Sequence, residues 1–342
     1  LFNQQGQFFN QFERSELIDL YHQGDFTQEP NSGIGSISKE HSVPAQMHIE
    51  RVLRCVNQDR IRKKNFRVAL DGVNGAGSIM SPNFLTVDLG CELHAISIDP
   101  TKPFPREAEP RPDTLGDLAQ LMRTTGSDIG FAQDPDGDRL AIALPDGTLL
   151  DNDDVLALVV DAVLTRMPGD VVVNLTTSSV IDEVASWHNR RVYRSAVGEA
   201  NVVERMLSVN AVIGGEGSNG GIIFPTVHYC RDSYTGMAFI LDLMAETGKS
   251  LPELVARLPK FTRLGIKMAF QHGRLGAIIQ EFEQKFPDAQ TDRSDGLKLN
   301  LKDGWIHVRA SNTEPILRLA VESRSPERAQ QLLEIGTDIL KA

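Results

Sequence analysis

Gln133-Asp134-Pro135-Asp136-Gly137-Asp138-Arg139 stands between two apolar runs, Ile129-Gly130-Phe131-Ala132 and Leu140-Ala141-Ile142-Ala143-Leu144. The flanking runs read as strands, so the loop sits at a strand's carboxyl end, where open α/β sheets bind ligands. Three carboxylates this close repel one another unless a hard divalent cation neutralises them, and an all-oxygen donor set favours Mg²⁺, Mn²⁺ or Ca²⁺ over zinc. An EF-hand is excluded by register. With Asp134 as position 1, the required glycine falls on Arg139 and the required glutamate on Pro145. Two other readings compete: an acidic surface turn built on Pro and Gly, and a phosphatase-type loop in which Asp134 carries a phosphoryl group.

Upstream, Phe66-Arg67-Val68-Ala69-Leu70-Asp71 is followed by a Gly-rich turn at 72–77, a helical stretch and a strand over 91–99. This is βαβ order. The glycines run G-x-x-G-x-G, not the dinucleotide-binding G-x-G-x-x-G, so a tight strand-to-helix turn is the better reading. Prolines 103, 105, 110 and 112 mark an extended loop, a helix is expected from Asp113, and Asp146-Gly147 reads as a hairpin turn. Residues 151–260 repeat the grammar: helix 153–166, strand 171–174, helix 179–188, strand 191–194, helix 199–208, strand 211–213. Before all this lie an amphipathic helix, with Phe12, Leu17, Leu20 and Tyr21 toward one face, and a Gly/Ser linker at 31–36.

From about 261 the pattern changes to strand 262–269, helix 274–286, strands 297–301, 305–310 and 317–322, and helix 327–340, an antiparallel α+β order. The fold class expected is α/β: successive α/β domains with mixed sheets, then a C-terminal α+β domain with an antiparallel sheet. The expected division is 1–36, 37–150, 151–260 and 261–342.

The composition narrows the function. With 342 residues, 41% of them hydrophobic, several buried cores are possible. A net charge of -11 argues against a nucleic-acid or anionic-membrane surface. No apolar run approaches the roughly 20 residues of a membrane span. Cys55, Cys91 and Cys230 are far apart and suggest neither a disulfide framework nor a zinc site, so a reducing cytoplasm is the expected location. No exposed apolar helix stands out as a dimer signal.

Two further loops carry polar chemistry. Gly214-Gly215-Glu216-Gly217-Ser218-Asn219-Gly220-Gly221 offers close backbone approach together with a carboxylate and a hydroxyl, which suits a polyhydroxylated ligand; a flexible hairpin is the competing reading. Arg309-Ala310-Ser311-Asn312-Thr313-Glu314-Pro315, with Arg318 beyond it, combines two guanidinium groups, two hydroxyls, an amide and loop N–H groups, a phosphate-binding inventory.

In this order and spacing the three loops resemble those of the α-D-phosphohexomutase family, which includes phosphoglucomutase, phosphomannomutase and phosphoglucosamine mutase. The Asp71–Gly77 turn and Val197-Gly198-Glu199 extend the resemblance over nearly the whole sequence. It implies exchange between hexose 6-phosphate and hexose 1-phosphate through a hexose 1,6-bisphosphate, with Mg²⁺ as cofactor and a hexose or hexosamine phosphate as substrate. It further implies that Asp134, Asp136 and Asp138 hold the metal and that Arg139 stabilises the transferring phosphoryl group. Glu216 and Ser218 would bind sugar hydroxyls, and Arg309, Ser311, Asn312, Thr313 and Arg318 the non-reacting phosphate. Asn219-Gly220-Gly221 resembles the archaeal-type phosphoglucosamine mutases. The family's phosphoserine lies in a Ser-His-Asn-Pro segment, which this sequence does not contain. Residues 1–24 resemble the stretch immediately downstream of that segment, so this sequence by itself is expected to bind substrate without turning it over. Ser178 and Ser179 are expected to cap a helix rather than replace the phosphoserine.

Overall fold

The computed structural model describes residues 1–24, 33, 35–38, 43–217, 220–269, 274–311 and 315–341. Helix α1 (Gln11–Gln23) starts at a capping box in which Asn10 and Glu13 satisfy each other's backbone N–H groups. None of its residues is buried, and Phe12, Leu17, Ile18, Leu20 and Tyr21 are exposed. That corrects the expectation of no exposed apolar helix. Of the proposed linker, only residues 33, 35 and 36 lie among the described residues.

Helices α2 (Val43–Leu53) and α3 (Gln58–Arg62) lead into the first sheet, built from β1 (Arg67–Asp71), α4 (Gly77–Asn83), β2 (Glu92–Ile96), α5 (Gly116–Thr125), β3 (Ile129–Gln133) and β4 (Leu140–Ala143). Pro82 lacks an N–H, and just after it α4 widens into a π-helical turn at Phe84–Asp88. Helix α5 starts at Gly116, three residues later than expected from Asp113. The strand order is β2-β1-β3-β4, with β4 antiparallel to β3 and the other pairs parallel.

The same topology then recurs. Helix α6 (Asn152–Arg166), β5 (Val171–Asn174), α7 (Val180–Trp187), β6 (Val192–Ser195), α8 (Glu199–Val209), β7 (Ile213–Glu216) and β8 (Gly221–Ile223) give the order β6-β5-β7-β8. Here too the last pair alone is antiparallel. Helices α9 (Ser233–Thr247) and α10 (Leu251–Val255) come next. Both α6 and α9 are buried along almost their whole length, as expected of helices apolar nearly all round. They pack into one core that continues through both sheets, from Val68 and Phe131 to Val173 and Ile213.

The C-terminal domain is a five-stranded antiparallel sheet in the order β10-β11-β12-β13-β9, from β9 (Thr262–Ala269), β10 (Gln290–Asp292), β11 (Leu297–Leu301), β12 (Gly304–Ala310) and β13 (Ile316–Ser323). Period-two alternation gives it two unlike faces. Leu299, Ile306, Val308, Leu319 and Val321 point to one side and share a core with α11 (Leu275–Lys285) and α12 (Pro326–Lys341). The other side carries Lys267, Lys298, Trp305, His307, Arg309, Arg318 and Glu322 and turns toward the second α/β unit. There Lys298 Nζ donates to the Leu175 carbonyl at 2.6 Å, and the Ser179 N–H donates to Glu322 Oε1 at 2.9 Å.

Candidate functional site

The acidic loop leaves the carboxyl end of β3 under three constraints. The Ala76 N–H donates to the Pro135 carbonyl at 2.8 Å, and Gly137 takes a left-handed φ of 76°. Ser233 Oγ donates to the Gly137 carbonyl at 2.6 Å while accepting from Gln133 Nε2 at 2.7 Å. Gly77 makes room for this brace, since a Cβ there would lie 2.2 Å from Gln133 Oε1. The loop is therefore fixed from the Gly-rich turn on one side and from the start of α9 on the other.

So braced, Asp134, Asp136 and Asp138 each bring a carboxylate oxygen within 4.8 Å of the others. Burial, together with the charges of Asp138 and Asp136, pushes the Asp134 carboxyl up to about 7. Burial also raises Asp138, partly offset by Arg231, whose Nη2 lies 2.5 Å from Asp138 Oδ2. A carboxylate cluster that retains a proton near neutrality is under-compensated, and this all-oxygen donor set fits a hard divalent cation.

Arg139 is part of the same loop. Its N–H donates to Asp134 Oδ1 at 3.1 Å, and its Nη1 reaches Glu109 Oε1 of the Pro-rich loop at 2.6 Å. Its buried Nε has no hydrogen-bond partner among the described residues. A cavity of about 240 Å³ opens beside it, between Glu109, Arg111, Asn152 and Arg263.

Arg139 also forms a β-bridge with Gly221, and the Leu140 N–H donates to the Gly220 carbonyl at 3.1 Å. The edges of the two sheets thus meet at a seam, and the acidic loop lies beside the Gly-rich hairpin. Gly214, Gly215 and Glu216 are strand β7 rather than loop, a correction to the sequence reading. At Gly214 a Cβ would stand 2.5 Å from Met206 Sδ and 2.7 Å from the Val172 carbonyl, so glycine here serves close packing. Glu216 is 3% exposed, and its Oε1 accepts from Asn174 Nδ2 and from the Gly198 N–H, each at 2.8 Å. Ser218 lies outside the described residues.

In the C-terminal domain, Arg309 stands opposite Arg318, and Arg318 opposite Lys267. Directly opposed residues share a face, so three cations form a row across three strands, an arrangement that costs stability unless negative charge meets it. Asp295 Oδ2 approaches Arg309 Nη1 at 3.8 Å while accepting from the Val197 N–H of the second unit at 3.0 Å. Ser311 is buried, and its N–H donates to the Ile316 carbonyl at 2.9 Å. Asn312 and Thr313 lie outside the described residues.

Ser178 Oγ accepts from the Val180 N–H at 3.2 Å, as a helix-start serine should. The Ser179 side chain makes no such bond, against the expectation. Sequence reasoning missed Glu109, Lys267 and Arg231. Arg231 holds Glu199 through Nε to Oε2 at 2.9 Å, and so ties the Val197-Gly198-Glu199 turn to Asp138. Glu109 comes from the Pro-rich loop, Arg231 from the segment after β8 and Lys267 from β9, each distant in sequence from the residue it faces. Val197-Gly198-Glu199 itself was a visible signal.

Three family profiles match the chain: "Phosphoglucomutase/phosphomannomutase, alpha/beta/alpha domain II" over residues 46–147, the corresponding domain III over 151–261, and the C-terminal domain over 275–335. A "Phosphoglucomutase/phosphomannomutase" of Thermococcus kodakarensis is 34% identical over 334 residues, covering 96% of this chain and 72% of its own length. A "Probable phosphoglucosamine mutase" of Methanopyrus kandleri is 35% identical over 299 residues, covering 86% of this chain and 65% of its own length. Among solved structures, a phosphoglucomutase/phosphomannomutase family protein of Burkholderia thailandensis shares the fold with a TM-score of 0.82 at 23% identity, over 98% of this chain and 71% of that one.

Proposed function

The chain belongs to the phosphoglucomutase/phosphomannomutase family of α-D-phosphohexomutases, and from that premise we propose that it takes a hexosamine 6-phosphate and serves its conversion to the 1-phosphate through a bisphosphorylated sugar. The observation that carries this reading is the seam at Arg139 and Gly221, which sets a carboxylate cluster beside a Gly-rich hairpin. Two chemistries are then adjacent: one for a transferring phosphoryl group, one for a ring of hydroxyls.

Asp134, Asp136 and Asp138 would hold Mg²⁺, which when bound supplies positive charge to the transferring phosphoryl oxygens. Arg139 adds a guanidinium that Glu109 holds in place until an anionic ligand competes for it. Glu216 and Ser218 would accept from and donate to sugar hydroxyls; the Asn174 and Gly198 bonds to Glu216 Oε1 keep that carboxylate oriented. The Arg309–Arg318–Lys267 row, with Ser311, Asn312 and Thr313, would grip the phosphate that does not react. No nucleophile is assigned to residues of this sequence. The glucosamine reading rests on the Asn219-Gly220-Gly221 variant and on the Methanopyrus relative; phosphomannomutase/phosphoglucomutase specificity is the second reading, favoured by the Thermococcus relative.

The test is equilibrium binding of glucosamine 6-phosphate, mannose 6-phosphate and glucose 6-phosphate with Mg²⁺, followed by an isomerisation assay primed with the matching 1,6-bisphosphate. Tightest binding of glucosamine 6-phosphate is expected. Preference for either neutral hexose phosphate would move the specificity to the second reading, and binding with no isomerisation would leave a sugar-phosphate-binding role.

A further inference from the structure

A second cavity, of about 790 Å³, lies where the C-terminal domain meets the second α/β unit. Its walls come from both bodies: Ser179, Asp182 and Arg194 on one side, the β11–β12 hairpin and the turn after β13 on the other. No residue of the acidic loop, the Gly-rich hairpin or the 309–318 segment lines it, so it is separate from the site above.

The charge of its lining is unlike that of the chain as a whole. The protein carries a net charge of -11, yet five cationic side chains and three carboxylates face this space. The carboxylates are already matched: Asp182 with Arg194, Glu183 with Arg324, and Asp303 with Arg328. Lys298 and Lys302 remain, with no carboxylate in ion-pair reach among the described residues. Lys302 is exposed, but Lys298 is only 2% exposed. Its ammonium has three donors, and one goes to the Leu175 carbonyl at 2.6 Å while the group rests 4.2 Å from the centre of the Trp305 ring. Burial, with the Arg194 charge, pushes the Lys298 amine well below the usual lysine range despite Asp182, Glu322 and Asp292, and a bound anion would favour its charged form. The volume is that of a small-metabolite site.

We infer that this cavity binds a small phosphomonoester dianion, with Lys298 and Lys302 as its charge partners. The ligand would touch both bodies at once, next to Phe261, at the connection between them. Occupancy would therefore fix the orientation of the C-terminal domain relative to the α/β units, and with it the position of the Arg309 row. This is a regulatory site rather than a part of the catalytic cleft.

Calorimetric titration of the Arg309→Ala protein with inorganic phosphate, in Mg²⁺-free buffer with chelator, tests the idea with the cleft's own phosphate grip weakened. One binding event is expected, and adding Lys298→Met should weaken it at least tenfold. Adding Lys302→Ala, at an exposed position where folding is not in question, should weaken it several-fold, and this variant decides the matter if Lys298→Met fails to fold. Absence of binding, or binding unchanged by both lysine variants, would overturn the assignment.

Discussion

At residue scale, Arg309 is the sharpest test of the phosphate row. A hydrogen bond to a charged group contributes about 1.5–3 kcal/mol, so Arg309→Ala should weaken hexose phosphate binding roughly 10- to 100-fold. Titration calorimetry checks it, and unchanged affinity would remove Arg309 from the site. Gly77 gives a second prediction. An alanine Cβ at 2.2 Å from Gln133 Oε1 must displace the amide that aligns Ser233 under the Gly137 carbonyl. Gly77→Ala should cost about 1–3 kcal/mol, read from denaturant unfolding, and should weaken Mg²⁺ binding as well. The acidic loop was legible because its donors are contiguous in sequence. The partners that aim it were not: Glu109 is 30 residues from Arg139, and in sequence the strands of the whole second sheet lie between Asp138 and Arg231.

At the scale of elements, the start of α9 is a titrating joint. Asp232 caps the helix by accepting from the Tyr234 N–H at 3.0 Å, and it also meets His48 Nε2 of α2 at 3.0 Å and lies 3.6 Å from His228 Nε2. The Cys230 N–H donates to His228 Nδ1, leaving Nε2 as the protonated nitrogen that faces Asp232. The cluster is thus a hydrogen-bonded clamp between α2 and the start of α9. Burial alone would lower His48, but the bond and charge of Asp232 outweigh it and the net shift is upward. Stability from this pair is therefore fully present below about pH 6.5 and is lost as pH rises through the higher folded value. Thermal unfolding between about pH 6 and 8.5 should show that loss in the native protein and a flatter profile in His48→Ala. An equal slope in both would refute the clamp. Elements with long, nearly unbroken apolar runs, such as α6 and β5, were readable in advance. Strand β10 was not, because Gln290-Thr291-Asp292 is a polar edge strand with no alternation. β7 was misread because Gly214 answers to Met206 and Val172, and Gly215 to Gly221 and Leu156, rather than to a turn.

Across the whole molecule, the two kinds of contact differ. The α/β units share a continuous apolar core, whereas the C-terminal domain attaches through polar links: Lys298 to Leu175, Ser179 to Glu322, Val197 to Asp295 and Arg263 to Asp153. Such interfaces permit relative motion. Burial pushes the Asp153 carboxyl up to about 6 despite Arg263, so it is charged above that pH and depends on its partner there. Arg263→Met should destabilise the docked state by up to about 3–5 kcal/mol, most of all above about pH 6, and calorimetry should show the C-terminal domain melting as a separate, earlier transition. A single unshifted transition would mean that the link is dispensable. The order of the units was legible from sequence, since the strand and helix grammar repeats; the polarity of the joint was not, because it depends on which strand face turns inward.

The seam between Leu140 and Gly220 has a consequence for solubility. Strands β4 and β8 each end a sheet, and an uncovered sheet edge is a template on which other chains can add strands. Here each edge is partly blocked by the other, and the segments at Leu149 and Arg231 close off more of the remainder. Neither α/β unit is therefore self-sufficient: separated between residues 147 and 151, each half would expose a raw edge along with its share of a divided core, and aggregation would be the expected fate of both.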